Sequence, residues 1–331
     1  MTIKTMFFGS AAALALGSGA ALADPALIFD LGGKFDKSFN ESSYNGAERW
    51  AAETGNSYAS VELQSDAQRD QAIRRFADEG YNPVIMAGFS NATPLESIAP
   101  DYPDTTFVII DAEVDQPNVR SVMFDEHEGS YLVGVLAAMA SETEVVGFVG
   151  GMDIPLIRRF GCGYAQGVMD TNPDATVIVN FTGTTPSAWN DPVKGSELTL
   201  AQIAQGADVV YAAAGATGVG VLQTAADQGV YSIGVDANQN YLHPGSVLTS
   251  MVKRVDNAVY DAMNEGPGLS TGLVTMGIAN EGVAAAMDEH NEALISDEMR
   301  AALDTTTAAI NAGEINVHDY YTDQNCPAVQ F

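Results

Sequence analysis

A net charge of −29, from 43 acidic and 14 basic residues in a chain of 331, excludes nucleic acid and anionic membrane surfaces as partners, because such a field repels both. It favours a soluble protein, in a medium salty enough to screen the charge, and says nothing of the fold. The length exceeds one ordinary core and points to two domains, while two cysteines and four isolated histidines offer no cluster for zinc.

Taken in chain order, the first 23 residues show Lys4, an apolar stretch from Met6 to Ala15, and Ala21-Leu22-Ala23 before Asp24. This is the layout of a secretory signal peptide with an A-x-A cleavage site, so 1–23 are expected to be removed on export to the periplasm. No cysteine stands at the cleavage point to take a lipid, and no later window reaches the roughly eighteen uncharged apolar residues that a spanning helix needs. In an oxidising compartment Cys162 and Cys326 are either a disulfide tying the C-terminal tail to the body, which export favours, or two buried thiols.

Beyond Asp24, short β-rich runs alternate with amphipathic helical stretches. Strands are expected over 26–31, 58–63, 83–87, 106–111, 119–124, 145–149, 175–181, 209–213, 231–235 and 247–251. Helices are expected over 44–54, 66–79, 129–140, 158–169, 194–205, 219–228 and 254–264. This repeating order implies α/β architecture with mostly parallel, doubly wound sheets and helices on both faces. Strands divide evenly about residue 125, so two similar lobes are expected, and with no low-complexity linker between them the chain should cross several times.

Open sheets of this kind bind ligands beyond the carboxyl ends of their strands. The first strand leads into 30–40, DLGGKFDKSFN, which offers Asp30, Asp36, Ser38, Phe39 and Asn40 within eleven positions. Taken alone, that segment also reads as a solvated loop in which Ser38 or Asn40 caps the next helix. Later strands end in Gly88-Phe89-Ser90-Asn91, in Asp111-Ala112-Glu113, in Gly150-Gly151-Met152-Asp153, and in 182–191 with Trp189. The last ones end in Gly215-Ala216-Thr217-Gly218, in Asp236-Ala237-Asn238-Gln239, and in Lys253. Polar groups and rings thus converge on one face, as a pocket for a polar, partly aromatic small molecule requires.

Catalytic motifs fail residue by residue. Gly88-Phe89-Ser90-Asn91-Ala92 lacks the second glycine of a nucleophile elbow, and His127, His243, His290 and His318 stand apart. Asp236-x-Asn238-x-Asn240 starts like a calcium loop, but Tyr241 and Val247 occupy the places of the required Gly and Glu. Gly215-x-x-Gly218-x-Gly220 is neither a dinucleotide fingerprint nor a P-loop, and its simplest use is close backbone approach to a ligand. Asp30 and Asp36 as an acid–base pair would want the denser, metal-holding carboxylate cluster of a nucleosidase.

The segments DLGGKFDKSFN (30–40), FVGGM (148–152), SAWND (187–191), QGADV (205–209), GATGVG (215–220), GVDANQ (234–239) and LTSMVK (248–253) carry a resemblance in order along the chain. It is to the basic membrane protein family of solute-binding proteins, the purine-nucleoside receptors of ABC importers. The resemblance implies a type I periplasmic-binding-protein fold: two Rossmann-like lobes joined by three crossing segments, closing on ligand by a hinge. With crossings near 123–128, 248–253 and 274–280, the N-terminal lobe would be 24–124 with 252–276, and the C-terminal lobe 125–251 with 277–331.

Carried onto this sequence, the resemblance has Phe39 stack on the base while Asp30 and Asp111 accept hydrogen bonds from it. Asp236 and Lys253 fix the ribose hydroxyls as acceptor and donor, with a backbone N–H of Gly215 beside them. It also implies a monomer without cofactor, metal or catalytic role, delivering a nucleoside to a permease and its ATPase. One departure stands out. The family sandwiches the base between two rings, the second from the strand before the glycine loop, where this chain has Ala212-Ala213-Ala214. Trp189 or Phe89 is left to supply that ring, unless Trp189 is a core residue under the hinge. The same scaffold holding a sugar or a flavin, and an exported nucleoside hydrolase, are the alternatives.

Overall fold

The computed structural model describes residues 23–331, so the expected signal segment lies, but for its last residue, outside them. The strands form where the sequence is apolar on both faces. β1 (Ala26–Phe29, ALIF) and β4 (Phe107–Ile110, FVII) are buried at every position, the pattern of parallel strands covered on both sides by helices. With β2 (Ala59–Glu62), β3 (Val84–Met86), β5 (Val119–Phe124) and a late strand, β11 (Gly272–Met276), they make one sheet in the order β11-β5-β4-β3-β1-β2.

The second sheet repeats the plan. β6 (Val145–Met152), β7 (Thr176–Gly183), β8 (Val209–Ala213), β9 (Tyr231–Asp236), β10 (Val247–Lys253) and β12 (Val283–Ala285) run in the order β12-β10-β9-β8-β6-β7. Every pairing in the two sheets is parallel except that of β12 with β10. The crossover helices are α1 (Phe39–Thr54), α2 (Arg69–Asp78), α3 (Ala92–Ile98), α4 (Glu126–Ala140), α5 (Pro155–Thr171), α6 (Pro192–Ile203), α7 (Thr217–Gln228) and α8 (Val255–Glu265), and α9 (Asp297–Asn311) follows the last strand.

Four elements escaped the sequence pattern: β11, β12, α3 and α9. β11 is an edge strand exposed over most of its length, β12 has three residues, and α9 buries only Met299 and Ile310, so none shows a clear apolar period. The chain passes from the first sheet to the second after Phe124, back after Lys253, and over again after Met276. The middle passage corrects an expectation. A first lobe that resumes at 252 would include Val252 and Lys253, but Val252 pairs with Asp236 and Lys253 with Val283, because β12 returns antiparallel along them and keeps them in the second sheet. At the far end, Cys326 of the tail is bonded to Cys162 on α5, with Cα atoms 5.6 Å apart.

Candidate ligand-binding site

The carboxyl ends of the two sheets meet across a cavity of about 590 Å³ including its mouth, within the usual range for small-molecule sites. From the first half of the chain come Asp30, Asp36, Phe39, Asn40, Gly88, Phe89 and Asp111; from the second come Phe160, Trp189, Gly215, Asp236 and Lys253, with aliphatic groups between. Asp30, Phe39, Asp111, Gly215, Asp236 and Lys253, singled out from sequence, are therefore brought together, as are Asn40, Gly88, Phe89 and Trp189. Two others stand differently. Ser38 is fully buried behind the wall and bonds to Asp236, and Met152 is not part of the lining. Alternation along β6 explains Met152: a Cβ on Gly151 would lie 2.1 Å from the Trp189 ring, so it is Gly151 that faces the tryptophan and Met152 that faces away.

The loop 30–40 is shaped by its carboxylates. Neither Ser38 nor Asn40 caps α1 with its side chain. Asp36 does so instead, accepting from the backbone N–H groups of Ser38 (2.8 Å), Asn40 (3.0 Å) and Glu41 (3.0 Å). The helix therefore starts at Phe39 rather than near Tyr44, which sets the Phe39 ring on a rigid first turn. Asn40 in turn accepts from the Asp30 N–H and donates to the Asp30 and Gly33 carbonyls, closing the loop upon itself. Burial pushes the Asp36 carboxyl up to about 7, against the pull of its three N–H donors.

Asp30 is oriented from behind by Arg69 on α2, whose Nη2 lies 2.6 Å from Oδ1, while Arg69 is itself held by Asp66 and Asn91. Burial raises its pKa despite that guanidinium. Its second oxygen packs against Gly88, where a Cβ would sit 2.2 Å away, and Gly88 has φ +96°. This glycine is demanded twice, by its backbone angle and by the carboxylate leaning on it.

Asp111 and Asp236 occupy equivalent places, at the ends of the third strand of each sheet. Both have left-handed backbones, φ +70° and +64°, a conformation of about 1–3 kcal/mol strain for a non-glycine residue that usually persists where function requires it. The Asp236 carboxylate accepts from the Ser38 hydroxyl, and Gln239 donates from Nε2 to the Lys37 carbonyl at 2.9 Å. Both bonds join the first half to the second behind the cavity wall.

Lys253 Nζ lies 2.7 Å from Asp111 and 2.9 Å from Glu126, and 5.5, 5.0 and 5.4 Å from the ring centres of Phe39, Phe124 and Phe160. Burial alone would lower its pKa, but Asp111, Glu126 and Asp236 reverse that and hold the ammonium above the ordinary lysine value. Several carboxylates share this one cation. Burial accordingly raises the Asp111 carboxyl to about 7, Lys253 offsetting only part of the shift, and burial raises Asp236 as well.

Sequence reasoning missed Asp36 and Phe160 as wall residues. Asp36 carried a signal in its place within 30–40; Phe160 did not, since a phenylalanine on an apolar helix has the same pattern in a core as in a cavity wall. The arrangement offers carboxylates to accept N–H and O–H groups, aromatic and aliphatic surface for a flat ring, and one ammonium between them.

The chain matches the family model for PnrA-like ABC transporter substrate-binding proteins over residues 25–319. It is 31% identical to the ABC transporter nucleoside-binding protein BmpA of Lactococcus lactis subsp. cremoris over 88% of each chain. It is 34% identical to an uncharacterized lipoprotein of Pyrococcus horikoshii, covering 78% of this chain and 67% of that one. Among solved structures, an ABC transporter solute-binding protein from Aeropyrum pernix K1 superposes with a TM-score of 0.80 at 30% identity, covering 89% of this chain and 92% of that one. The arabinose-binding protein AraP of Geobacillus stearothermophilus, at 10% identity and a TM-score of 0.61 over 83% of this chain and 100% of that one, shares the fold alone. The chain belongs to the PnrA-like, or basic membrane protein, family of ABC transporter substrate-binding proteins, extracellular solute receptors rather than enzymes.

Proposed function

We propose that this receptor takes up a nucleoside, a purine nucleoside above others, in the cavity between the two sheets, and hands it to a permease and its ATPase. The observation that carries the reading is the meeting of Asp30, Phe39 and Asp111 from the first half with Asp236 and Lys253 from the second around one space of nucleoside size. Phe39 stacks on the base, Asp30 and Asp111 accept from its N–H groups, and Asp236 with Lys253 engages the ribose hydroxyls, beside the backbone N–H of Gly215. Phe160 or Trp189 supplies the ring that the alanine run withholds. The lobes are 24–124 with 254–276 and 125–253 with 277–331, and they close as hinged bodies, the Ser38–Asp236 and Lys37–Gln239 bonds forming on closure. The protein works in the periplasm as a monomer after loss of 1–23. The experiment is a calorimetric titration of ligand-stripped protein with adenosine, guanosine, inosine, uridine, ribose and riboflavin. Tight binding of ribose or riboflavin and of no nucleoside would sink the proposal, and recovery of hydrolysed base after long incubation would replace it with a hydrolase.

A further inference from the structure

Lys253 is gripped from outside the cavity. Of its two anionic neighbours, Asp111 lines the cavity and Glu126 does not. Glu126 opens α4, is wholly buried, and turns its other oxygen to Nη1 of Arg159 on α5 at 2.6 Å. The same nitrogen donates to the Phe124 carbonyl, at the point where the chain leaves the first sheet. Nη2 meets Asp125 at 3.0 Å, and Asp319 takes Nε and Nη2 at 2.7 and 2.8 Å. Asp319 lies in the tail that the Cys162–Cys326 bond fastens to α5.

An ammonium is a point charge on a flexible stem, and it moves to whichever anions are nearest. Without Glu126, the Lys253 ammonium would be drawn fully onto Asp111 and Asp236, the two carboxylates that a ligand needs as acceptors. A buried carboxylate costs several kcal/mol unless it is paired, and the Arg159 guanidinium already has Asp125 and a bidentate Asp319. Glu126 is thus not needed to neutralise Arg159. Its placement makes sense as a link between two cations, one of which reaches the ligand.

We propose that Glu126 and Arg159 are positioning residues for ligand binding, an ionic relay that holds the Lys253 ammonium back from Asp236 and in register with the ligand's hydroxyls, with Asp319 anchoring the relay to the C-terminal tail. The proposal rests on the nucleoside reading of the cavity. The two come apart in a double-mutant cycle on adenosine affinity, using the intact chain with Glu126→Gln, Lys253→Met and both together. Glu126→Gln is expected to weaken adenosine about tenfold in the native background and less than about threefold once Lys253 is methionine, a coupling within the range for contacting buried groups. Equal losses in both backgrounds, or no loss in the native one, would overturn the relay, because a merely structural glutamate would act without regard to Lys253. Asp319→Asn, on the partly exposed tail, is the second variant should Glu126→Gln fail to fold. It should weaken adenosine severalfold, again only while Lys253 is present, and a loss unaffected by Lys253→Met would likewise overturn the relay. If the native protein binds no nucleoside, that reading fails, and the unfolding midpoints of the ligand-free variants decide the relay. Glu126→Gln should then destabilise the native background but restore stability beside Lys253→Met, whereas additive shifts would overturn it.

Discussion

Gly88→Ala tests the geometry of the cavity's first wall at a single atom. Gly88 has φ +96° and ψ 143°, a region close to glycine-only, so an alanine there carries about 1–3 kcal/mol of backbone strain. Its Cβ would also lie 2.2 Å from Asp30 Oδ2 and 3.0 Å from Cγ, so the carboxylate must swing away, loosening a nearly buried ion pair with Arg69 that spans 2.6 Å. Breaking a buried pair costs about 3–5 kcal/mol in full, and a partial displacement should take roughly half of that. The expected loss is about 3–5 kcal/mol in urea unfolding. Gly229→Ala supplies the control, since Gly229 has φ +70° but no atom within 4 Å of the added Cβ, and should cost only about 1–2 kcal/mol. Adenosine affinity should fall ten- to a hundredfold in the first variant, as Asp30 leaves its place, and stay unchanged in the second. A Gly88→Ala protein as stable as Gly229→Ala would refute the packing of Asp30 on Gly88, and unchanged affinity would refute the role given to Asp30.

Asp236→Ala should weaken adenosine by about 1–3 kcal/mol, since it leaves ligand hydroxyls without their acceptor and the Ser38 hydroxyl with only the Val235 carbonyl; unchanged calorimetric affinity would mean the sugar lies elsewhere. Asp36 and Asp111, both raised to about 7 from ordinary values near 4, hold protons in the folded chain that the unfolded chain releases, so ligand-free stability should fall as pH rises from about 4 to about 7 and level off above; a flat or rising profile in that window would contradict their burial. Affinity should run the other way, because a carboxylate that accepts from the base must be ionised: adenosine binding should strengthen by up to about tenfold per unit as pH rises towards 7, and a pH-independent affinity would remove Asp111 from the contact. Cys162→Ser with Cys326→Ser, which frees a tail closed over a sequence separation of 164, should lower the unfolding free energy by about 2–5 kcal/mol, and an unchanged urea midpoint would leave the bond without a stabilising role.

The sheets were legible because parallel strands covered on both faces cannot hide. ALIF and FVII have no polar alternation to confuse with a surface element, and each is followed at once by turn residues. β11 and β12 were not legible because an edge strand is defined by its neighbour rather than by its own pattern; β11 exposes Leu273 and Val274, and only its register with β5 makes it a strand. The cavity followed from topology: if strands are parallel, their following loops share a side, and the polar residues in those loops converge. What topology does not reveal is which charge faces which. Asp36 read as one polar group among several, yet it is the cap of α1; Glu126 fell before the helix expected over 129–140, and Arg159 was one more residue of that expected over 158–169. A charged residue in sequence looks solvated by default, and burial beside an opposite charge appears only when α4, α5 and β10 are packed together.

The two sheets repeat one another in strand order, and in direction except at the edge strands β11 and β12, and the site uses the repeat unevenly. Asp111 and Asp236 are the same position in the two halves, each at the end of the third strand and each in a left-handed backbone. Two such carboxylates buried together with no cation would repel one another. Lys253 breaks the symmetry: it ends β10 in the second sheet, at the point where the chain crosses back, and its ammonium reaches Asp111 of the first. One cation carried on a crossing segment therefore bridges the two sheets where these carboxylates stand. The crossing after Phe124 meets the same cluster through Asp125, Glu126 and the Phe124 carbonyl, and Glu128 accepts from the Ile278 N–H just past the third. The passages between the sheets and the charges of the cavity are thus one structure, so a change in how Lys253 is held is a change in what joins the two halves.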